Sequence, residues 1–307
     1  MLGGKTLRNK MYATLFLAVI LTGILPLTYM KFANADESLY KTVAFWHFDQ
    51  LYTPDATGKD NVGILGGSPP PTMIEGRFGK ALDFDGENFV YVPFNPNLYT
   101  EYEITIEAWI YVKAFKNVTY NNIIVICHSA GLAWQTATRI CGLAITPAAT
   151  DVNNETQFGF LRGYIYTDKE HFNEIITIEP VICLGKWIHV AFVRNLVTGM
   201  HLYVNGQERE TKVTWGMRNP TGRMIMGTEI YFGHDAEIII DEPRICNTAL
   251  NPSQFILESA DAIIASRTEI DIGPNLMMAI IIAALIFAAA WLLRRIVQTW
   301  GMTRSSG

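Results

Sequence analysis

Glycoside hydrolysis with retention needs two carboxylates about 5 to 5.5 Å apart across one bond, so the acidic pairs of the chain come first. Asp241-Glu242 is one such pair, but neighbours on a regular strand point to opposite faces and cannot form that couple. His189 and His201 lie on adjacent predicted strands, where a histidine reads first as a hydrogen-bonded core residue. A serine nucleophile is no better served, since Ser129 has no glycine elbow around it. These residues assemble no catalytic constellation, and the expectation is a protein that is not an enzyme.

Other residues offer binding chemistry. Trp134 and Trp215 stand in polar, loop-like surroundings, where an aromatic face can stack on a sugar ring or cover an end of the core. Asn117-Val118-Thr119 and Asn154-Glu155-Thr156 are acceptor sequons, making Asn117 and Asn154 candidate glycosylation sites. The four cysteines, Cys127, Cys141, Cys183 and Cys246, match no zinc spacing and read as disulfides of an exported domain. Cys127 and Cys141 lie symmetrically about residue 134 on consecutive predicted strands, which pairs them across a hairpin. Cys183 and Cys246 are then left to pair with each other.

The elements that must position these residues are short apolar or alternating segments between Gly, Pro, Asn and Asp, running from residue 39 to about 250. They include Val43 to Phe48, Lys80 to Asp83, Phe89 to Val92, Ile104 to Val112, Ile123 to Cys127 and Arg139 to Ile145. Phe158 to Tyr166, Ile175 to Ile178, Lys186 to Arg194, His201 to Val204, Ile230 to Phe232 and Glu237 to Ile245 complete the set. That spacing predicts an all-β sandwich or barrel. Trp187 to Val193 carries large apolar residues on both faces, as a strand buried twice over does. Asn195 to Gly199 is a five-residue hairpin loop, and Asn205-Gly206 suits a two-residue type I′ turn. After the strands, Asn251-Pro252-Ser253-Gln254 reads as the capped start of a helix ending near Ser266.

Both ends of the 307-residue chain read as targeting segments. Lys5, Arg8 and Lys10 precede an apolar run from Met11 to Leu27, and Ala33-Asn34-Ala35 follows, so residues 1–35 are a signal peptide or an uncleaved anchor. Residues 251–273 form a helix and juxtamembrane spacer, 274–295 a transmembrane helix and 296–307 a cytoplasmic tail. The uncharged stretch from Leu276 to Leu293 reaches roughly 27 Å as a helix, and Arg294-Arg295 closes it on the cytoplasmic side. The expected location is the cell membrane, single-pass, with the main domain extracellular. A net charge of −5 and a pI near 5.7 supply no basic patch, which argues against nucleic acid as a partner.

Several separated motifs then come in one order: Val43-Ala44-Phe45-Trp46-His47-Phe48-Asp49, Asp55-Ala56-Thr57-Gly58, and Gly76 through Gly86. Ile104-Thr105-Ile106-Glu107-Ala108-Trp109-Ile110, the segment from Lys186 to Gly206, and Ile240-Asp241-Glu242-Pro243-Arg244-Ile245 follow. Together they resemble the laminin-G-like jelly rolls of the concanavalin A-like lectin and glucanase superfamily, related to the pentraxins, over residues 43 to 257. The resemblance implies two stacked antiparallel sheets of six or seven strands, with the first and last strands side by side. It also implies that Asp55 and Asp241 lie near one rim, with Asp49 close by, and oxygen-rich loops so placed make Asp55 and Asp241 candidate ligands for calcium, which takes carboxylates and carbonyls in flexible geometry. Pro243 departs from the pattern and predicts a bulge or an edge position. The glucanases of this superfamily carry Glu-x-Asp-x-Glu on one strand; Glu269-Ile270-Asp271-Ile272 begins it, but Gly273-Pro274 follows. The implied function is therefore a membrane-anchored surface protein whose jelly roll binds carbohydrate or a protein partner. A structural subunit of a surface layer, virion envelope or larger membrane assembly, homo- or hetero-oligomeric, is the alternative, and a diverged glycoside hydrolase the least favoured.

Overall fold

Ile104, Ile106, Ala108, Ile110 and Val112 alternate along one strand with Thr105, Glu107, Trp109 and Tyr111, and the first set lies in the main apolar core. That period of two recurs in a computed structural model describing residues 41–93, 95–128, 138–148, 158–225, 227 and 229–258. In chain order come β1 (Thr42–Phe45), β2 (Ile64–Gly66), β3 (Thr72–Glu75), β4 (Lys80–Asp85), β5 (Phe89–Val92) and β6 (Ile104–Ala114). Next are β7 (Asn121–His128), β8 (Thr138–Pro147), β9 (Phe158–Thr167), β10 (His171–Thr177) and β11 (Ile182–Cys183). The last are β12 (Trp187–Asn195), β13 (Gly199–Val204), β14 (Gln207–Arg209), β15 (Thr211–Trp215), β16 (Glu229–Phe232) and β17 (Glu237–Cys246).

They build two antiparallel sheets. One is ordered β14-β13-β12-β6-β17-β4-β3 with β1 also on β17; the other is ordered β15-β10-β9-β8-β7-β16-β5-β2 with β11 on β9. Eight and nine strands exceed the expected six or seven, because short strands such as β2, β3 and β14 extend both sheets outward. Each of those carries too few apolar residues to show a period. The expected pairing of first and last strands is present, with Phe45 opposite Arg244.

Between the sheets lies one core. Ile188, Val190 and Phe192 of β12 and Ile238, Ile240 and Ile245 of β17 face Leu143, Ile145, Leu161, Ile165 and Ile230. Trp46 and Phe48 wedge against Phe232, edge to face, at ring separations of 4.9 and 5.5 Å. Gly163 faces inward where a Cβ would come within 2.3 Å of the Phe192 ring, so the sheets close only with glycine there. At Asn205-Gly206, φ values of 50° and 74° give the turn expected between β13 and β14.

Three expectations are corrected. The helix starting at Asn251 is a single 3-10 turn, Pro252–Gln254, in which the Asn251 N–H donates to Gln254 Oε1 at 3.0 Å. Residues 255–258 lie against a sheet instead of continuing to coil, for reasons given below, and the rest of the expected helix, to Ser266, lies outside the described residues. Neither disulfide is present: all four cysteines are free. Cys141 stands opposite Ile126 and points into the main core, whereas an irregularity after Ile126 turns Cys127 to the outer face, beside Val125, Tyr164 and Tyr231. A hairpin pairing thus places the two sulfurs on opposite sides of one sheet. Cys183 lies on β11 of the nine-stranded sheet and Cys246 at the end of β17 in the other, its thiol 3.5 Å from Thr42 Oγ1. Burial pushes the Cys127 and Cys141 thiols up to about 12 and raises Cys246, so these sulfurs stay protonated.

Candidate functional site

The two outer faces of the sandwich differ, and the difference locates the candidate site. On the eight-stranded sheet, Glu107 of β6, His189 of β12 and Arg244 of β17 stand side by side and are all buried. Glu107 Oε1 accepts from Arg244 Nε at 2.5 Å and Glu107 Oε2 from His189 Nε2 at 2.9 Å. Burial works against the Glu107 charge, yet the Arg244 and His189 partners prevail and hold its carboxyl below the usual range. The segment after β17 roofs this cluster. The Ile256 N–H donates to Glu107 Oε2 at 3.2 Å, Trp109 Nε1 donates to Ile256 O at 2.7 Å and Arg244 Nη2 to Gln254 O at 2.7 Å. Phe255 packs on His189 and Tyr203. A continuing helix would withdraw those backbone groups from the buried charges, which is why one turn suffices. This face is closed by residues 250–256, and its ionisable residues serve as framework.

The predicted bulge at Pro243 is present: pairing slips between Asp241 and Arg244, and Glu242 has φ 52°. The bulge interrupts the strict alternation there, and Glu242 lies close enough for its charge to act on Asp241. Asp241 is fully buried; its Oδ2 accepts the Phe78 N–H at 2.8 Å, while Oδ1 has no partner. Burial, with Glu242 and Asp49 adding repulsion, pushes Asp241 up to about 7. Glu242 pairs instead with His47 Nδ1 at 2.8 Å.

Asp55 sits in a different bonding set. Its carboxylate accepts from the Phe45 N–H, the Thr57 N–H, Thr57 Oγ1 and Asn61 Nδ2, at 2.6 to 3.1 Å. Those donors pin the loop after β1 and occupy both oxygens, so a calcium ion shared by Asp55 and Asp241 does not fit this donor set. Among the described residues no group of three or more His, Cys, Asp or Glu is placed to hold a metal. Trp134 and Asn154 lie outside the described residues, and Asn117 lies in an exposed bend after β6.

The nine-stranded sheet presents the other outer face. Phe89 and Tyr91 of β5 meet Tyr231 of β16 at ring separations of 5.5 and 5.3 Å. Val125, Cys127, Ala144 and Tyr164, all buried, pack with them, and the half-buried Tyr120 and Phe172 lie against that cluster. Tyr120, just before β7, lies edge-on to Tyr164 at 5.6 Å, with Arg162 and Arg139 guanidiniums 4.7 and 4.8 Å from its ring. Its hydroxyl donates to Glu174 Oε2 at 2.7 Å. Glu174 also accepts Arg162 Nη1 on both oxygens, at 2.8 and 2.7 Å, and Thr214 Oγ1 at 2.5 Å. Trp215, two-thirds exposed, is the cross-strand neighbour of Glu174 at the sheet edge, so one of the two predicted tryptophans does border this face. The tyrosines and the Arg162–Glu174 pair were missed, although Phe89-x-Tyr91 and Tyr164-x-Tyr166 carried an alternating signal on strands already drawn. A separate hollow at one end of the sandwich, lined by Leu98, Ile126, Ile140, Met224 and Ile230 among others, is mostly apolar and offers a polar ligand little.

A family model described as the concanavalin A-like lectin/glucanases superfamily matches residues 84–255, over half of the chain. The chain belongs to that superfamily. No curated protein matches it. Among solved structures, it is similar to the binding domain of Paraclostridial Mosquitocidal Protein 1, at 17% identity and TM-score 0.51, covering 71% of this chain and 51% of that one. Domain 4 of a GH43 extracellular arabinanase from Geobacillus stearothermophilus, solved with arabinotriose, has 20% identity and TM-score 0.47, with 70% and 96% covered. The ligand-binding domain of botulinum neurotoxin serotype D, solved with N-acetylneuraminic acid, has 15% identity and TM-score 0.48, with 75% and 51% covered. The chain thus spans about half of either toxin domain, and at these identities the likeness is one of fold.

Proposed function

We propose that the chain is a membrane-anchored extracellular surface protein whose jelly roll binds carbohydrate on the outer face of the nine-stranded sheet. The observation that carries this reading is the joining of accessible aromatic rings, Tyr91, Tyr120 and Trp215, to a fixed polar set, Arg162, Glu174 and Thr214, on one sheet face. A sugar offers an apolar C–H face and a rim of hydroxyls, so it is recognised by ring stacking together with a few oriented donors and acceptors. Superfamily membership is consistent with that role, and the uncharged run from Leu276 to Leu293 supports a single membrane span.

Hydrolysis is not part of the proposal. Glu174 is engaged by three side-chain donors, Tyr120, Arg162 and Thr214, which hold it as a fixed acceptor of the sheet face. The test is a glycan array probed with the full-length protein in mild detergent. The expected result is retention of a definite glycan class, without turnover, that is lost in a variant of the exposed ring, Trp215→Ala, of unchanged melting temperature. Absence of any glycan binding, with a protein co-purifying in fixed ratio, would favour the structural-subunit alternative.

A further inference from the structure

Of the two acceptor sequons, Asn117-Val118-Thr119 lies within the described residues, in the connection from β6 to β7, and all three of its residues are exposed. The loop is held from beneath. The buried Asn121 side chain accepts the Lys116 N–H at 2.9 Å and donates to Lys116 O at 3.2 Å, while Thr146 Oγ1 donates to Thr119 O at 2.8 Å. Asn121 thus serves the loop itself, whereas among the described residues nothing bonds to the Asn117 amide or the Thr119 hydroxyl. An oligosaccharide is bulky and solvated and cannot be buried, so a sequon is usable only where the fold turns its asparagine outward. Asn117 meets that condition on a loop whose backbone is fixed by its neighbours.

We propose that Asn117 is a modification site, the acceptor of an N-linked oligosaccharide. This rests on the extracellular placement proposed above and is independent of the carbohydrate-binding reading. The co-reactant is an oligosaccharide carried on a lipid phosphate or diphosphate, delivered by a membrane-bound transferase. A bond forms between Asn117 Nδ2 and C1 of the sugar as the C1–O bond to phosphate breaks. The amide gives one proton to a base of the transferase and the lipid phosphate leaves with the bonding pair, so nothing is oxidised or reduced. Register keeps the sugar clear of the binding face. Tyr91, Val125 and Trp215 stand in one cross-strand row through Tyr231 on one side and Gly142, Tyr164 and Glu174 on the other. β7 begins at Asn121, roughly 13 Å along the strand from Val125, so the glycan projects from one end of the sandwich, beside that row. Asn121 stands opposite Ile145, which puts the end of β8 at the same end of the sandwich. The second sequon, at Asn154, belongs to the connection that leaves from there and lies outside the described residues.

The experiment is peptide mass mapping of the full-length protein isolated from the membranes of its own cells, in an Asn154→Gln background that leaves one natural sequon. The expected result is an oligosaccharide on the peptide that contains residue 117, lost in Asn117→Gln and in Thr119→Ala and kept in Thr119→Ser, because a serine hydroxyl also completes the acceptor motif. Leu196→Asn supplies the control, since with Val197 and Thr198 it completes the same Asn-Val-Thr order in the exposed loop between β12 and β13. A sugar at position 196 with none at Asn117 would overturn the proposal and leave the extracellular placement intact. No sugar at either position would also overturn it, and protease digestion of intact cells then decides the placement by itself. The glycan array tests the binding reading separately in every case.

Discussion

Glu107 is a carboxylate with no access to water, and its charge is kept by a guanidinium, an imidazole and a backbone N–H. Replacing it by alanine strands Arg244 in a closed site, and removing one partner of a buried pair costs about 3 to 5 kcal/mol. Urea denaturation of Glu107→Ala should show a loss of that size. Asp241 is the reverse case, a buried carboxyl with one oxygen unpartnered and titration moved up to about 7. Because the folded state holds this proton more tightly than the unfolded chain, Asp241 favours folding most below about pH 4 and progressively less as pH rises through 7. His47, raised by its Glu242 partner, acts in the same direction at the upper end. Asp241→Asn should therefore flatten the decline in stability between pH 5 and pH 8 and gain on the order of 2 kcal/mol at pH 8; an unchanged slope would mean that Asp241 is ionised throughout. The free cysteines predict that denatured, unreduced protein takes up alkylating reagent at all four sulfurs.

Among the elements, β6, β12 and β17 were legible because each is long and buried, so alternation or continuous apolarity marks it over seven or more residues. Pro243 announced its bulge for a local reason, the missing N–H. Reading failed where a tertiary partner decides. The residues after Asn251 carry a helical start signal, but the buried Glu107 and Arg244 claim the backbone of Gln254 and Ile256, and no periodicity reports that claim. The proposed disulfide failed through one irregularity in β7, which turns Cys127 away from Cys141 without altering the spacing in sequence. The binding face was missed similarly: its tyrosines look like core residues until pairing shows which side of the sheet they share. The roof over the eight-stranded sheet should matter to stability. Phe255→Ala, which empties the contact with His189 and Tyr203, should cost about 3 kcal/mol or more in a thermal or urea melt.

At the scale of the molecule, one outer face of the jelly roll is closed by residues 250–256 and the other carries aromatic rings and a positioned ion pair. That asymmetry is the basis for assigning recognition to the nine-stranded sheet. The proposed topology predicts that protease added outside intact cells degrades the jelly roll and spares a tag placed after Gly307; protection of the domain with loss of the tag would reverse the orientation. The location of the ligand is tested most directly by hydroxyl-radical footprinting of the full-length protein with and without a glycan that it retains. Tyr91 and Trp215, on the nine-stranded sheet, should be protected from oxidation by the ligand, while Tyr111 and Trp187, half-exposed on the eight-stranded sheet, should react as in the free protein. Protection of Tyr111 and Trp187, with Tyr91 and Trp215 unchanged, would place binding on the opposite face and contradict the account.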